Sequence, residues 1–390
     1  MERRFRSEKA VSPTTGKVAW VIVETGTYEL HPEGTTFAAS LRRRGLSSNT
    51  ERNYTGRTAL YLSYSAARGI PWQSPTMNQL SGFLHWLVDV PLPARGRREP
   101  MEPRFRKKQS ANAVVTTTCE FLRFGVRQEW VPADLGMQLS NEKHLVYLPR
   151  GYQAGEDGQF RTIQASELKF TVSDEGIAWL APDEVDRVVL GATRARDRFL
   201  VGLLWVTGMR IGEALGLRRE DMHLLSNSRA LGCPIVGPHV HVRRRINTNG
   251  ALAKSPVSRA IPVTEQAAGL YVDYVHERDE IAVLSPEAWT SDMVFVNLFR
   301  GPIGRAMTYS AVKDMFDRLA RRVGLVVRPH MLRHSAATEW IRSGEPRDVV
   351  SALLGHQSPS SLAPYLHITD GEMRTAVENV AARRELAGAR

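Results

Sequence analysis

The chain has 390 residues, 42% of them hydrophobic, with 52 basic against 41 acidic side chains, a net charge of +11 and a pI near 9.9. That length admits two or three domains, and the excess positive charge favours a polyanionic partner, nucleic acid or an acidic membrane surface. No apolar run approaches the roughly 18 residues of a spanning helix, no signal-type core follows the first six residues, and two distant cysteines exclude a disulfide framework, so a cytoplasmic protein is expected.

The charge is uneven. Residues 1–150 hold 22 basic and 13 acidic side chains, whereas residues 151–176 hold 2 and 5. An acidic spacer between basic blocks fits two domains gripping one polyanion. At the N-terminus, Lys17 to Glu24 reads as a β-strand rich in β-branched residues, with Thr27 to Leu30 as its hairpin partner. Arg3, Arg4 and Arg6 precede it; the strand is expected to pack on the following domain rather than serve as a free arm. From 35 to 146 the apolar spacing predicts four helices: Phe37–Arg44, Ser48–Arg68 capped by Ser48 or Asn49 and stopped by Gly69, Thr76–Val88, and Ala111–Gln128. The connection between the third and fourth carries Arg95, Arg97, Arg98, Arg104, Arg106, Lys107 and Lys108. A charge run is usually a solvated face, but seven cations on one loop of a basic domain point to phosphate contact.

Residues 147–176 read as a polar linker. The next helix opens at Pro182, which suits a first helical position, with Asp183 and Glu184 at the positive helix end. An apolar helix over Arg198–Val206 leads to Thr207-Gly208-Met209-Arg210-Ile211-Gly212-Glu213, where Gly208 permits a turn, Arg210 opens a helix and Glu213 is spaced to orient Arg210. Beyond Asp221 the pattern turns β, with strands over 238–246 and 259–263 and Lys254 near the hairpin tip. His239 and His241 share one face of the first strand, but no third ligand lies nearby in the sequence and Cys119 and Cys233 have no metal-ligand spacing, so no metal is expected. Arg243, Arg244 and Arg245 suit backbone phosphates. Helices over 265–282 and 308–323 flank a short strand at Phe295 and Val296.

The segment from Pro329 concentrates chemistry. His330 and Arg333 stand one helical turn apart, a Gly-Glu-Pro turn at 344–346 divides two helices, and Leu-Leu-Gly-His356 is followed by Pro364-Tyr365. Arginine grips phosphate oxygens, histidine moves protons near neutral pH, and a tyrosine flanked by cations can attack a phosphodiester.

The set Arg210, Glu213, Lys254, His330, Arg333, His356 and Tyr365, in this order and spacing, resembles the tyrosine recombinase (phage integrase) family over residues 177–383, with a weaker likeness in helix pattern over 35–146. The resemblance implies a mainly α fold with a small antiparallel β-sheet (α+β): an N-terminal strand-containing arm (1–34), a helical core-binding domain (35–146), a linker (147–176), a catalytic domain (177–383) and a tail (384–390). It implies that Arg210, Arg333 and His356 bind the scissile phosphate, that Tyr365 attacks to give a 3′-phosphotyrosine, that Lys254 protonates the leaving 5′-oxygen and that His330 assists proton transfer. The covalent link conserves the phosphodiester energy, so no cofactor is implied. Double-stranded DNA, a homotetramer on two DNA sites, and accessory DNA-bending or directionality factors are the implied partners, at the nucleoid and not at a membrane. The tail stripe Met373, Val377 and Val380 would dock on a neighbouring protomer. Pro364 departs from the pattern and places Tyr365 near the start of a short helix. Integration or excision of a mobile element is the expected task. Type IB topoisomerase or telomere-resolvase activity shares the chemistry, and a catalytically silent DNA-binding regulator is the rival of another class.

Overall fold

A computed structural model describes residues 3–93, 102–139, 141–144, 162–165, 168–172, 178–253, 255 and 258–355. Arg95, Arg97, Arg98, Lys254, His356, Tyr365 and the tail stripe lie outside the described residues. The chain divides into two compact units, one formed by the described residues up to 172 and one by those from 178 onward.

The first unit begins with an antiparallel ribbon of β1 (Phe5–Val11) and β2 (Val18–Glu24), in which Phe5 faces Glu24 and Val11 faces Val18. The strand expected at 17–24 is present, but its partner is β1. Leu30 makes only a single bridge to Val23. The signal for β1 is weak because its sequence, Phe-Arg-Ser-Glu-Lys-Ala-Val, is mostly charged and polar. Backbone groups that the ladder leaves over are bonded by the helices below. The Trp20 amide donates to Glu51 (2.9 Å) and the Ile22 amide to Thr35 (3.2 Å), while the Ser63 hydroxyl accepts from the Phe5 amide and donates to the Phe5 carbonyl. An exposed ribbon edge is thereby closed to further pairing.

Four helices follow: α1 (Pro32–Arg43), α2 (Ser48–Ala67), α3 (Met77–Asp89) and α4 (Lys108–Arg127). The cap of α2 is Ser47, whose hydroxyl accepts from the Thr50 amide at 3.1 Å, one residue earlier than the expected Ser48 or Asn49. Thr76 and Gln79 form a reciprocal capping box at the start of α3. Ile22, Phe37, Leu41, Tyr61, Phe83, Leu87, Phe121 and Leu122 meet in one core, so the ribbon and the helices fold as one body. A short α5 (Ala133–Gln138) follows, and β3 (Asn141–His144) pairs antiparallel with β4 (Thr162–Ala165), a strand inside the stretch read as linker. Beyond it, Asn112 bonds both the amide and the carbonyl of Phe170.

In the second unit, α6 (Pro182–Gly191) starts at Pro182 as expected. Helix α7 (Ala195–Thr207) buries Phe199, Leu200, Val201, Leu203 and Leu204 and packs against α6, α9 (Glu265–Leu284) and α11 (Pro329–Arg342). A helix surrounded in this way needs apolar residues on nearly every side, which is why its sequence shows little amphipathic period. The one-turn α8 (Ile211–Ala214) follows. A three-stranded antiparallel sheet is then ordered β5 (Met222–His223), β6 (His239–Val242), β7 (Arg259–Pro262). At Phe295 and Val296, where a strand is expected, Val296 makes one bridge to Ala306. Helices α10 (Tyr309–Val323) and α12 (Arg347–Leu354) complete the described residues, with α12 packed on α11. Although no third ligand lies near His239 and His241 in the sequence, β5 and the loop after it bring His223 and Cys233 beside them in the fold. None of the described helices is long and apolar enough to cross a membrane.

Glu51 is buried in the first unit and serves both the Trp20 amide and Arg42 (2.7 Å). Glu51→Ala should destabilise this unit by about 1–3 kcal/mol, mainly through the unsatisfied strand amide, with a smaller loss for Glu51→Gln. The measurement is the denaturation midpoint of the corresponding transition. Equal midpoints for Glu51→Ala and wild type would show that the ribbon is held by its apolar face alone.

Candidate active site

Helix α11 begins at Pro329 and presents its two expected site residues differently. His330 is exposed in the first turn, while Arg333 is 1% exposed. Arg333 donates to the Gly208 carbonyl at 2.7 Å and to the Leu354 carbonyl at 2.9 Å. Both acceptors lie at helix C-termini, Gly208 as the left-handed cap of α7 and Leu354 as the last residue of α12. A guanidinium suits this place because such ends carry partial negative charge and carbonyls without intrahelical donors.

The second anchor is Glu213, whose side chain is fully buried. One carboxylate oxygen accepts from the Arg210 amide at 2.8 Å and the other lies 3.3 Å from the Arg210 guanidinium. Arg259, at the start of β7, donates to the same carboxylate at 2.9 and 3.3 Å and to the Leu353 carbonyl at 3.0 Å. Burial pushes the Glu213 carboxyl up, but the hydrogen bonds and charge of Arg259, followed by the amide and charge of Arg210, outweigh it and hold the group below its ordinary range. Arg210 and Arg333 are therefore tied into one bonded network through Glu213, Arg259 and two neighbouring carbonyls at the end of α12. Two guanidinium groups, of Arg210 and Arg259, share one carboxylate, and Arg333 joins the network through the Gly208 and Leu354 carbonyls, so the network carries net positive charge suited to phosphate oxygens.

Two glycines make the network sterically feasible. A Cβ on Gly355, whose φ is +63°, would lie 2.7 Å from the Arg259 guanidinium. One on Gly212 would lie 2.9 Å from the Leu252 carbonyl. The latter contact seats the hairpin segment that precedes Lys254 against α8. Asn249 reinforces it by donating to the Leu215 and Met307 carbonyls.

Arg259 and His334 belong to this region and were not singled out from the sequence. Arg259 carries no spacing signal, since its partners come from α8 and α12. His334 lies one turn beyond His330, with ring centroids 4.2 Å apart. Burial, then the neighbouring His330 and Arg333 charges, push its pKa down to about 4, so the ring is neutral at physiological pH.

Among the expected phosphate-binding cations, Arg104 and Arg106 are half-buried and donate to the Pro93 and Leu87 carbonyls, while Lys107 and Lys108 are exposed. Arg106 shares a groove with Arg3, Arg52 and Arg57. Arg4 and Arg6 are instead paired with Glu24 and Glu8. In the second unit, Arg245 is bonded to buried Asp221 and to Glu220, and Arg243 also lies 3.7 Å from Asp221; Arg243 and Arg244 are the exposed members of that trio.

Glu213→Ala leaves Arg259 without its carboxylate in a buried setting, and a loss of about 3–5 kcal/mol is expected. Because the folded pKa of Glu213 is depressed, its ionic contribution is complete above the ordinary carboxylate range, near pH 4.3. It is lost as pH falls through the depressed value. The thermal midpoint of Glu213→Gln should therefore lie below wild type at neutral pH and approach it in acid. A gap that does not change with pH would exclude the ionised carboxylate as its cause.

Comparison with known proteins places the chain in a family. The model of the phage integrase family matches residues 178–372, half of the chain. Transposase A from transposon Tn554 of Staphylococcus aureus is 27% identical over 362 residues, covering 92% of this chain and 93% of that protein. Tyrosine recombinase XerD of Lacticaseibacillus casei is 24% identical, covering 84% and 90%. Among solved structures, the Tn1549 transposon integrase in complex with a circular intermediate DNA matches 89% of this chain and 99% of its own at a TM-score of 0.57 and 14% identity. A lambda integrase dimer bound to a core site matches 87% and 95% at 0.53 and 17% identity. The chain belongs to the phage integrase family of tyrosine recombinases, enzymes that break and rejoin DNA strands.

Proposed function

We propose that this recombinase moves a mobile element, in the cytoplasm, by cutting and rejoining double-stranded DNA at specific sites through a phosphotyrosine at Tyr365. The observation that carries the reading is the bonded network that fixes Arg210 and Arg333 relative to one another through Glu213, Arg259 and the end of α12. Transition-state stabilisation by cations depends on their being fixed before the charge develops.

Arg210, Arg333 and His356 bind the scissile phosphate. Tyr365 attacks phosphorus as its phenolic proton passes to His330, which stands exposed at the positive end of α11. The bond to the 5′-oxygen breaks, Lys254 supplies that oxygen with a proton, and the 3′-phosphate stays on Tyr365. Attack by the 5′-hydroxyl of a partner strand reverses each step and restores a phosphodiester. Glu213 and Arg259 act as positioning residues. Exchange between two duplexes calls for four protomers, each tail docked on a neighbour, and for accessory DNA-bending or directionality factors. The groove of Arg3, Arg52, Arg57 and Arg106, with Lys107, Lys108, Arg243 and Arg244, supports contact with the DNA backbone. The same contact is proposed for Arg95, Arg97 and Arg98.

Tyr365→Phe should bind single sites and assemble two-duplex complexes on native gels with wild-type mobility, yet give no covalent adduct on nicked suicide substrates. An adduct at wild-type level would assign the nucleophile to another residue. Separately, Lys107→Gln with Lys108→Gln should flatten the log–log salt dependence of binding by up to about 2, since each phosphate contact contributes roughly 0.9. Unrelated sequences should weaken alike. A loss confined to one base position would assign this loop to base reading, and an unchanged slope would remove it from the DNA contact.

A further inference from the structure

A second site of defined chemistry lies on the small sheet. His239 and His241 stand two apart on β6 and so project from one face, and His223 of β5 is the cross-strand partner of His239. The loop between these strands returns Cys233 to the same face. The four ligand atoms lie within 4.8 Å of one another, and all but His241 are buried. The Cys233 sulfur is 3.3 Å from His239 Nε2 and 3.5 Å from His241 Nε2, and those two nitrogens are 3.1 Å apart. A tetrahedral zinc ion, with bonds of about 2.05 Å to nitrogen and about 2.3 Å to sulfur, sets its donors apart by roughly 3.3 to 3.6 Å. The three spacings among Cys233, His239 and His241 are of that size, and a small inward shift of the His223 ring completes the set.

The hydrogen bonds around the cluster orient the rings for a ligand. His239 Nδ1 donates to the Gly237 carbonyl at 2.8 Å, which leaves Nε2 as the lone-pair atom facing the cluster. His223 Nε2 donates to the Glu220 carbonyl at 3.2 Å, and its buried Nδ1 has no hydrogen-bond partner. Protons shared among Cys233, His239 and His241 satisfy those three atoms but not His223 Nδ1. A cation satisfies all four. Beyond Leu224, which packs on the core, the loop has little apolar anchoring: Leu225, Leu231, Ile235 and Val236 are exposed.

We propose that His223, Cys233, His239 and His241 bind a structural zinc ion that clamps the 224–238 loop onto β5 and β6. Cys233 binds as thiolate, its proton released to solvent, and the three imidazoles bind neutral. Four protein ligands close the coordination shell, so the ion has no open position for chemistry. The site is separate from the Glu213 network and steadies the strand that leads into Arg243 and Arg244.

The test uses the full-length chain purified without a histidine tag. Elemental analysis after dialysis should find about one zinc per chain, falling to background in Cys233→Ser and in His241→Ala. Cobalt(II) added to chelator-treated wild type should give the strong visible bands of tetrahedral coordination and a thiolate-to-cobalt charge-transfer band, the latter absent in Cys233→Ser. If either variant fails to fold, the cobalt titration of wild type alone decides. Background metal in wild type together with no charge-transfer band on cobalt addition overturns the proposal. Neither readout depends on DNA cleavage, so the outcome is independent of the role given to Tyr365.

Discussion

One buried carboxylate organises the catalytic unit. Glu213 caps its own one-turn helix through the Arg210 amide and simultaneously holds the Arg210 and Arg259 side chains. Without those partners its burial would favour the neutral acid; with them the group stays ionised. The ion pair serves placement more than stability, since desolvating three charged groups offsets much of their attraction. Its consequence is spatial: Arg259 is fixed on Leu353, and the end of α12 is thereby fixed relative to Arg210.

Arg333 is placed by helix ends. Arg333 joins the cap of α7 to the end of α12, so a single side chain on α11 registers two other helices. Such a contact requires the chain to turn sharply and to leave room beside the turn. Gly208 and Gly355, both in the left-handed region, provide this, and a methyl group at either position would press on Trp340 and Leu354 or on Arg259. The glycine of each family motif thus has a steric reason in the neighbouring arginine or helix.

In the first unit, formal charge overstates what is available to a polyanion. Arg4, Arg6 and Arg42 are paired with Glu24, Glu8 and Glu51. The same applies to Arg245, engaged by Asp221 and Glu220. Among the cations open to an outside partner, Arg3, Arg52, Arg57 and Arg106 share one groove, and Lys107 and Lys108 are exposed. Three of those groove residues come from segments outside the basic loop that stands out in the sequence, and only folding collects them.

By itself the sequence determined the helices with a clear apolar period or a strong cap, the strand at Val18–Glu24, and the motif order that marks the family. These are local properties: side-chain periodicity, Pro182 at a first helical turn, glycine where the chain must turn. Tertiary structure decided the rest. The strand β1 is hidden by its charged sequence and exists because β2, Ser63 and the helices below accept its backbone. Arg259 has no motif, and its place depends on Glu213 and Leu353, 46 and 94 positions away. The His223, Cys233, His239 and His241 cluster was invisible as spacing because strand pairing and a loop return, not sequence neighbourhood, bring its four ligands to one face. Contacts between distant residues leave no periodic trace in either segment, so only the folded chain reveals them.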